Sequence, residues 1–89
     1  MTRQTLTIQN PRGIHLRPAT LIVEAAKAFP AHEVWMVSNT GERCEPTSPL
    51  GILALGLDCG TQVTLEVSGP KEKECAETLA ELLTRVFDF

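Results

Sequence analysis

The chain has 89 residues, 43% of them hydrophobic and 21% charged, with a formal net charge of −3. That length suits one domain, residues 1–89, with a modest core, and the composition is globular rather than disordered. The acidic balance offers no basic stripe for nucleic acid, and no apolar run is long enough to cross a bilayer. The start, "MTRQTLTIQN", has no apolar signal-peptide core, so the expected state is a cytoplasmic monomer. Cys44, Cys59 and Cys75 are odd in number and widely spaced, which reads as reduced thiols rather than a metal site. No metal or organic cofactor is implied.

From Arg3 to Ile8 the residues alternate, Leu6 and Ile8 on one face and Thr5 and Thr7 on the other, which is a strand pattern. Asn10, Pro11 and Gly13 then punctuate a loop. Between Leu16 and Phe29 the apolar residues Leu21, Ile22, Ala25, Ala26 and Phe29 follow helix spacing. Pro18 lies in the first turn, where a missing N–H costs nothing, and Pro30 stops the helix. His32 reads as a solvated loop residue.

Glu33–Ser38 is rich in strand formers, with Val34 and Val37 beside a Trp35 expected to be partly core. Asn39-Thr40-Gly41 reads as a hairpin turn, followed by a short strand at about Glu42–Glu45. Ser48 is expected to cap a short helix that has Pro49 at its first position and Gly56 near its end. Its "PLGILALGL" is apolar nearly all round, so it is either buried or offers an exposed patch.

Thr61–Ser68 alternates cleanly, Val63, Leu65 and Val67 against Gln62, Thr64 and Glu66. Ser68-Gly69-Pro70 opens a last helix whose stripe runs Cys75, Ala76, Leu79, Leu82, Leu83 and Val86. Glu72 and Glu74 sit near its positive N-terminal end. The order β-α-β-β-α-β-α predicts an α+β fold, one antiparallel sheet of four strands with three helices on one face. The other sheet face would be partly solvated.

The segment "GIHLRPAT", Gly13–Thr20, concentrates unusual chemistry. Gly13 permits a tight loop, and His15 falls at or just before a helix start. The first N–H groups of a helix lack internal partners and, with the helix dipole, form a ready anion site. Arg17 adds a permanent positive charge and a planar fork of donors suited to phosphate oxygens. A neutral imidazole nitrogen is a good nucleophile near neutral pH. No Asp or Glu stands beside His15 to repel an incoming anion. These parts describe a histidine that can accept and hold a phosphoryl group. An ordinary capping or surface histidine stands as the other reading of the same residues.

"GIHLRPAT" resembles the phosphorylation-site motif of the HPr family, the histidine-containing phosphocarriers of the phosphoenolpyruvate-dependent phosphotransferase system. "TSPLGILALGLDCGTQVTLEVSGP" is similar to the family's second segment, and the order of elements agrees with its open-faced β-sandwich. The resemblance implies that His15 is phosphorylated through Nδ1 and that Arg17 stabilises the phosphoryl group. It implies a carrier that takes the group from phosphoenolpyruvate by way of enzyme I and passes it to IIA domains in carbohydrate uptake, with no enzyme activity of its own. Pro18 matches the family's helix-start proline. Ser48 matches a serine that a dedicated HPr kinase/phosphorylase modifies in some bacteria.

Two departures bear on this. Leu16 stands where the family usually has alanine, which puts a larger apolar group on the docking face. Pro49 stands where a hydrophobic residue is common and removes an N–H from any phosphate cradle at Ser48, so helix capping is the favoured reading of that serine. The docking face that the family implies carries Leu16, Arg17, Thr20, Leu21, Leu50, Leu53 and Leu55, some of which must instead be core. Arg12 adds positive charge just before the site. "EVSGPKEKE" and the closing "FDF" look closer to NPr, the nitrogen-branch paralogue, which is the alternative function together with a non-phosphorylated regulatory module that kept the motif. An acylphosphatase-like hydrolase ranks behind both, because the "NPRGIH" loop matches it weakly and leaves the histidine unexplained.

Overall fold

A computed structural model of the chain describes residues 1–87; Asp88 and Phe89 lie outside it, so Phe87 alone of the closing "FDF" is described. Seven elements follow in order: β1 (Thr2–Thr7), α1 (Leu16–Lys27), β2 (Glu33–Ser38), β3 (Arg43–Cys44), α2 (Pro49–Leu53), β4 (Gln62–Ser68) and α3 (Glu72–Thr84). The strands form one antiparallel sheet in the order β1-β4-β2-β3. The expected α+β open-faced sandwich is the observed architecture.

The alternation of β4 decides the layering. Val63, Leu65 and Val67 are buried on the helix side, and in the register they pair with Ser38, Met36 and Val34 of β2, in that order. The core continues through Ile8, Ala19, Ile22, Val23, Ile52, Leu79 and Leu83 from the flanking strand and the three helices. Burial of this apolar face is the main favourable term in the fold. The opposite face is polar. There Arg3 and Arg43 both reach Glu66, at 3.2 and 3.1 Å, and Thr5 pairs with Thr64 at 3.1 Å.

Several sequence expectations are corrected at this level. Trp35 is half-buried on the open face rather than in the core: the Arg43 guanidinium lies 4.7 Å from its ring centroid and its Nε1–H donates to Glu33. β3 shrinks to Arg43–Cys44, because the turn before it is closed tightly. Ser38 N–H donates to Glu42 O and Gly41 N–H to Ser38 O, at 2.8 and 3.0 Å. α2 ends at Leu53, with turns beyond it leading to Gly56 at φ +65°. Val86 is 61% exposed rather than in the α3 stripe, since the helix has already ended at Thr84 and Phe87 fills the core position instead.

His32 is half-buried rather than solvated. The Lys71 N–H donates to its Nε2 at 2.8 Å, so the neutral ring carries its proton on Nδ1. Phe29 meets that ring edge-on at 5.5 Å, and Nδ1 is buried without a hydrogen-bond partner. The connection from α1 to β2 is thereby fastened to the connection from β4 to α3. Cys44 and Cys75 carry thiols that burial pushes up, with Glu45 adding to the effect at Cys44; Cys59 is exposed.

β1 is anchored at its start by Glu72. The N-terminal ammonium bonds this carboxylate at 2.7 Å and the Thr2 hydroxyl donates to it at 3.0 Å, and these bonds, in that order, hold the carboxyl below the usual carboxylate range. An acid with a lowered folded-state pKa adds stability that is full above its unfolded-state value and is lost as pH falls through the folded-state value. Glu72→Gln should therefore melt below the wild type above the ordinary carboxylate range, and the two melting temperatures should converge on acidification; thermal melts across pH check this.

Candidate functional site

The chain leaves β1 through a closed turn. The Gly13 N–H donates to Asn10 O at 2.8 Å, while the Asn10 Nδ2–H donates back to Gly13 O at 2.7 Å. Asn at the first position, Pro11 at the second and Gly13 at the fourth match the residue preferences of a type I turn. No described residue other than glycine has a positive φ, which excludes type II. The turn is also tied to the rest of the fold. Ile8 and the Gly60-Thr61 segment exchange backbone bonds at 2.9 and 2.8 Å, and the Ile14 N–H donates to Leu57 O at 2.8 Å.

Gly13 is required here for two reasons. Its φ is +68°, and a Cβ at this position would collide with the Leu57 carbonyl oxygen and lie 2.8 Å from Asp58 Cα. The turn therefore packs backbone against backbone on the segment that follows α2.

His15 comes two residues later and is the N-cap of α1, extended at φ −94° and ψ −167°. Its carbonyl accepts the first helical bond, from Ala19 N–H at 3.0 Å, but its imidazole makes no cap bond, so the ring is not consumed by capping. The side chain is half-buried. Pro18 is buried in the first turn and contributes no N–H, so the amide donors at the helix start are those of Leu16 and Arg17. The first turn holds no acidic residue, and Arg12 and Arg17 are both exposed on either side of His15. The positive end of a 12-residue helix, an imidazole at its N-cap position and exposed arginines three positions before and two after it in the chain are features that favour an anion at this helix start.

The other expected site residues separate by burial. Leu16 and Leu50 are 56% and 73% exposed, on two helices that pack together. Leu21, Leu53 and Leu55 are half-buried against the core. Thr20 is half-buried, its hydroxyl turned back to donate to Leu16 O at 2.9 Å. The exposed apolar surface of this region is thus Leu16 and Leu50. Ser48 occupies the N-cap position of α2, but its hydroxyl makes no cap bond, contrary to the expectation; its carbonyl accepts instead from Gly51 and Ile52, at 3.1 and 3.4 Å. Among the described residues no group of three or more His, Cys, Asp or Glu side chains stands close enough to hold a metal ion, and no helix is long and apolar enough to cross a membrane.

One residue beside the site signals no more than loop punctuation in the sequence. Asn10 is 1% exposed, and its Oδ1 accepts from the Phe87 N–H at 2.9 Å, 77 positions away. The N-P-x-G signature announces the turn, but no local signal announces that partner.

A sequence model of the family described as "PTS HPr component phosphorylation site" matches residues 2–85. The chain is 40% identical over 86 residues to phosphocarrier protein HPr of Lysinibacillus sphaericus, covering 97% of this chain and 96% of that one. It is 34% identical over 86 residues to phosphocarrier protein NPr of Escherichia coli K12, covering 97% and 94%. The crystal structure of HPr-C-His from Thermoanaerobacter tengcongensis superposes with a TM-score of 0.83 at 32% identity, over 93% of this chain and 91% of that one.

Gly13→Ala tests the backbone packing under the site. The strained φ and the collision with Leu57 and Asp58 together should cost about 2 kcal/mol or more. A drop of that size in chemical denaturation, with the signals of Leu57 and Asp58 shifted in NMR spectra, is the expected result.

Proposed function

The chain belongs to the HPr family of phosphocarrier proteins of the phosphotransferase system, and on that premise we propose that His15 accepts a phosphoryl group from phosphoenolpyruvate by way of enzyme I and delivers it to IIA domains in carbohydrate uptake. The observation that carries this reading is the placement of His15 at the N-cap of α1, its ring outside the capping bonds, with no acid in the first turn and Arg17 two residues on. In the transfer the lone pair of neutral His15 Nδ1 forms a bond to phosphorus as the bond between phosphorus and the donor breaks. The dipole of α1 and the Arg17 guanidinium stabilise the charge that arrives. Reversal onto a IIA acceptor restores the free imidazole. The protein is a carrier, and the step depends mainly on positioning and electrostatics.

The partners dock over the exposed Leu16 and Leu50. Isolated apolar side chains beside a charged site suit brief, repeated encounters better than a permanent interface. We place the protein in the cytoplasm as a monomeric single domain over residues 1–89. The NPr-like alternative, with 34% identity to that protein beside 40% to an HPr, shares the chemistry while changing the partners. At Ser48 the hydroxyl is exposed and outside any cap bond, which leaves it open to a kinase, but Pro49 withholds one amide from a phosphate placed there.

Incubation with phosphoenolpyruvate and either the sugar-type or the nitrogen-type enzyme I, read by intact mass, tests the carrier. The expected outcome is an acid-labile gain of one phosphoryl group that His15→Ala lacks, faster with the enzyme I of the branch that the protein serves. No gain with either enzyme would leave the regulatory module that kept the motif. Arg17→Ala should slow transfer by about 10- to 100-fold, the worth of a charge-assisted hydrogen bond. Leu50→Glu should slow transfer without lowering the melting temperature; unchanged transfer would remove Leu50 from the docking face.

A further inference from the structure

The buried carboxamide of Asn10 uses both of its ends. Nδ2 donates to Gly13 O at 2.7 Å, and Oδ1 accepts from Phe87 N–H at 2.9 Å. The first bond lies within the turn that delivers His15, and the second reaches the segment that follows α3. We propose that Asn10 is a positioning residue for His15, and that through it the Phe87 segment sets the geometry of the phosphoryl site. This rests on the phosphocarrier reading above.

The chemistry at this point is restrictive. The position requires a donor toward a carbonyl and an acceptor toward an N–H, and among uncharged side chains of this size an amide supplies both in a fixed plane. Glutamine is one methylene longer, and a site only 1% exposed has no room for it. The carboxamide also fixes its neighbours rather than merely filling space. Gly13 is held through both its N–H and its carbonyl, both to Asn10. Ile14 is held next by its N–H on Leu57 O and by its buried side chain. His15 is the first residue after this fixed run, so its ring inherits the orientation that the turn imposes.

Phe87 is the other half of the device. Its side chain is buried, and the Arg85 guanidinium lies 5.6 Å from its ring centroid while pairing with Glu81 in the last turns of α3. The segment after α3 is therefore hydrogen-bonded, through the Asn10 side chain, to the turn that leads into α1, although the two lie 77 positions apart in the sequence. Phosphoryl transfer to a ring nitrogen needs in-line alignment, and a misplacement of about 1 Å can cost on the order of 100-fold in rate. That sensitivity is what makes a positioning residue outside the reacting atoms consequential.

The test uses the full chain with Asn10→Asp and, independently, Phe87→Pro. Asn10→Asp keeps the shape and the acceptor for Phe87 but offers no N–H to Gly13. Phe87→Pro removes the backbone donor to Oδ1 together with the buried ring, and Phe87→Ala, which removes the ring but keeps the donor, is the control that separates the two; the proposal requires a loss in Phe87→Pro beyond that in Phe87→Ala. Three quantities are read: the rate of phosphoryl transfer from phosphoenolpyruvate through the enzyme I that serves the wild type, the ring nitrogen shifts and titration of His15 by NMR, and the folded fraction by denaturant melts. We expect transfer to fall about tenfold or more, with displaced His15 ring signals, in samples that are fully folded under the assay conditions. Folded variants with wild-type His15 signals and wild-type rates would overturn the proposal, as would a rate loss that tracks only the unfolded fraction. A wild type that takes no phosphoryl group would overturn the phosphocarrier reading instead, and the His15 ring signals would still decide whether Asn10 positions it.

Discussion

The close approach of Gly13 to the backbone of Leu57 and Asp58 is the constraint on which the functional end of this molecule depends. No side chain fits between the two segments, and the φ of +68° suits glycine alone among the residues found there. Because the contact is backbone to backbone, it sets the separation of the β1–α1 and α2–β4 connections more rigidly than side-chain packing would. The bond from Ile14 N–H to Leu57 O then fixes the register of one against the other. The N-terminus of α1, and His15 with it, stands where it does because that contact is so short.

From there the division of labour between the two faces of the sheet follows. The helix side carries almost all the apolar burial, with Val63, Leu65 and Val67 of the central strand meeting Ile22, Leu79 and Leu83. The open side is held by polar cross-strand pairs, Arg3 and Arg43 converging on Glu66. Exposed ion pairs of this kind add little to stability, so the fold rests on its one-sided core. α1 can accordingly expose Leu16 and Arg17 at its start, since its buried residues are Pro18, Ala19, Ile22 and Val23. The exposed surface at the helix start and the core therefore draw on different residues of the same helix.

The same economy explains the surface around His15. α2 is apolar nearly all round, yet it need not be buried all round. Ile52 enters the core, Leu53 packs against it, and Leu50 is left outside. Leu50 is thereby left as an exposed apolar residue on a helix that packs against α1. Pro49 starts this helix without an N–H, which makes its beginning a poorer anion site than that of α1, where Leu16 and Arg17 both retain theirs.

How much of this was legible beforehand depends on whether the signal was local. The alternation of Thr61–Ser68, the helical stripes before Pro30 and after Pro70, and the "GIHLRPAT" segment each carry their structural meaning within a few residues, so the sequence alone determined the element order, the α+β class and the placement of His15 and Arg17 at a helix start. Trp35 shows where that reading stops: strand propensity is the same on either face, and the open face suits the indole because Arg43 from the neighbouring strand covers its ring and Glu33 accepts its N–H. The sequence around His32 suggests a solvated residue because its partner, the Lys71 N–H, is 39 positions away. The helical stripe of α3 carried Val86 into the core on paper, whereas the helix stops two residues earlier and turns Phe87 inward. Asn10 is the sharpest instance. The sequence shows a turn there, and only the tertiary fold brings the Phe87 N–H to the other end of its carboxamide. Periodicity and turn chemistry act over a few residues, whereas burial and long-range hydrogen bonds exist only once the whole chain has closed on itself.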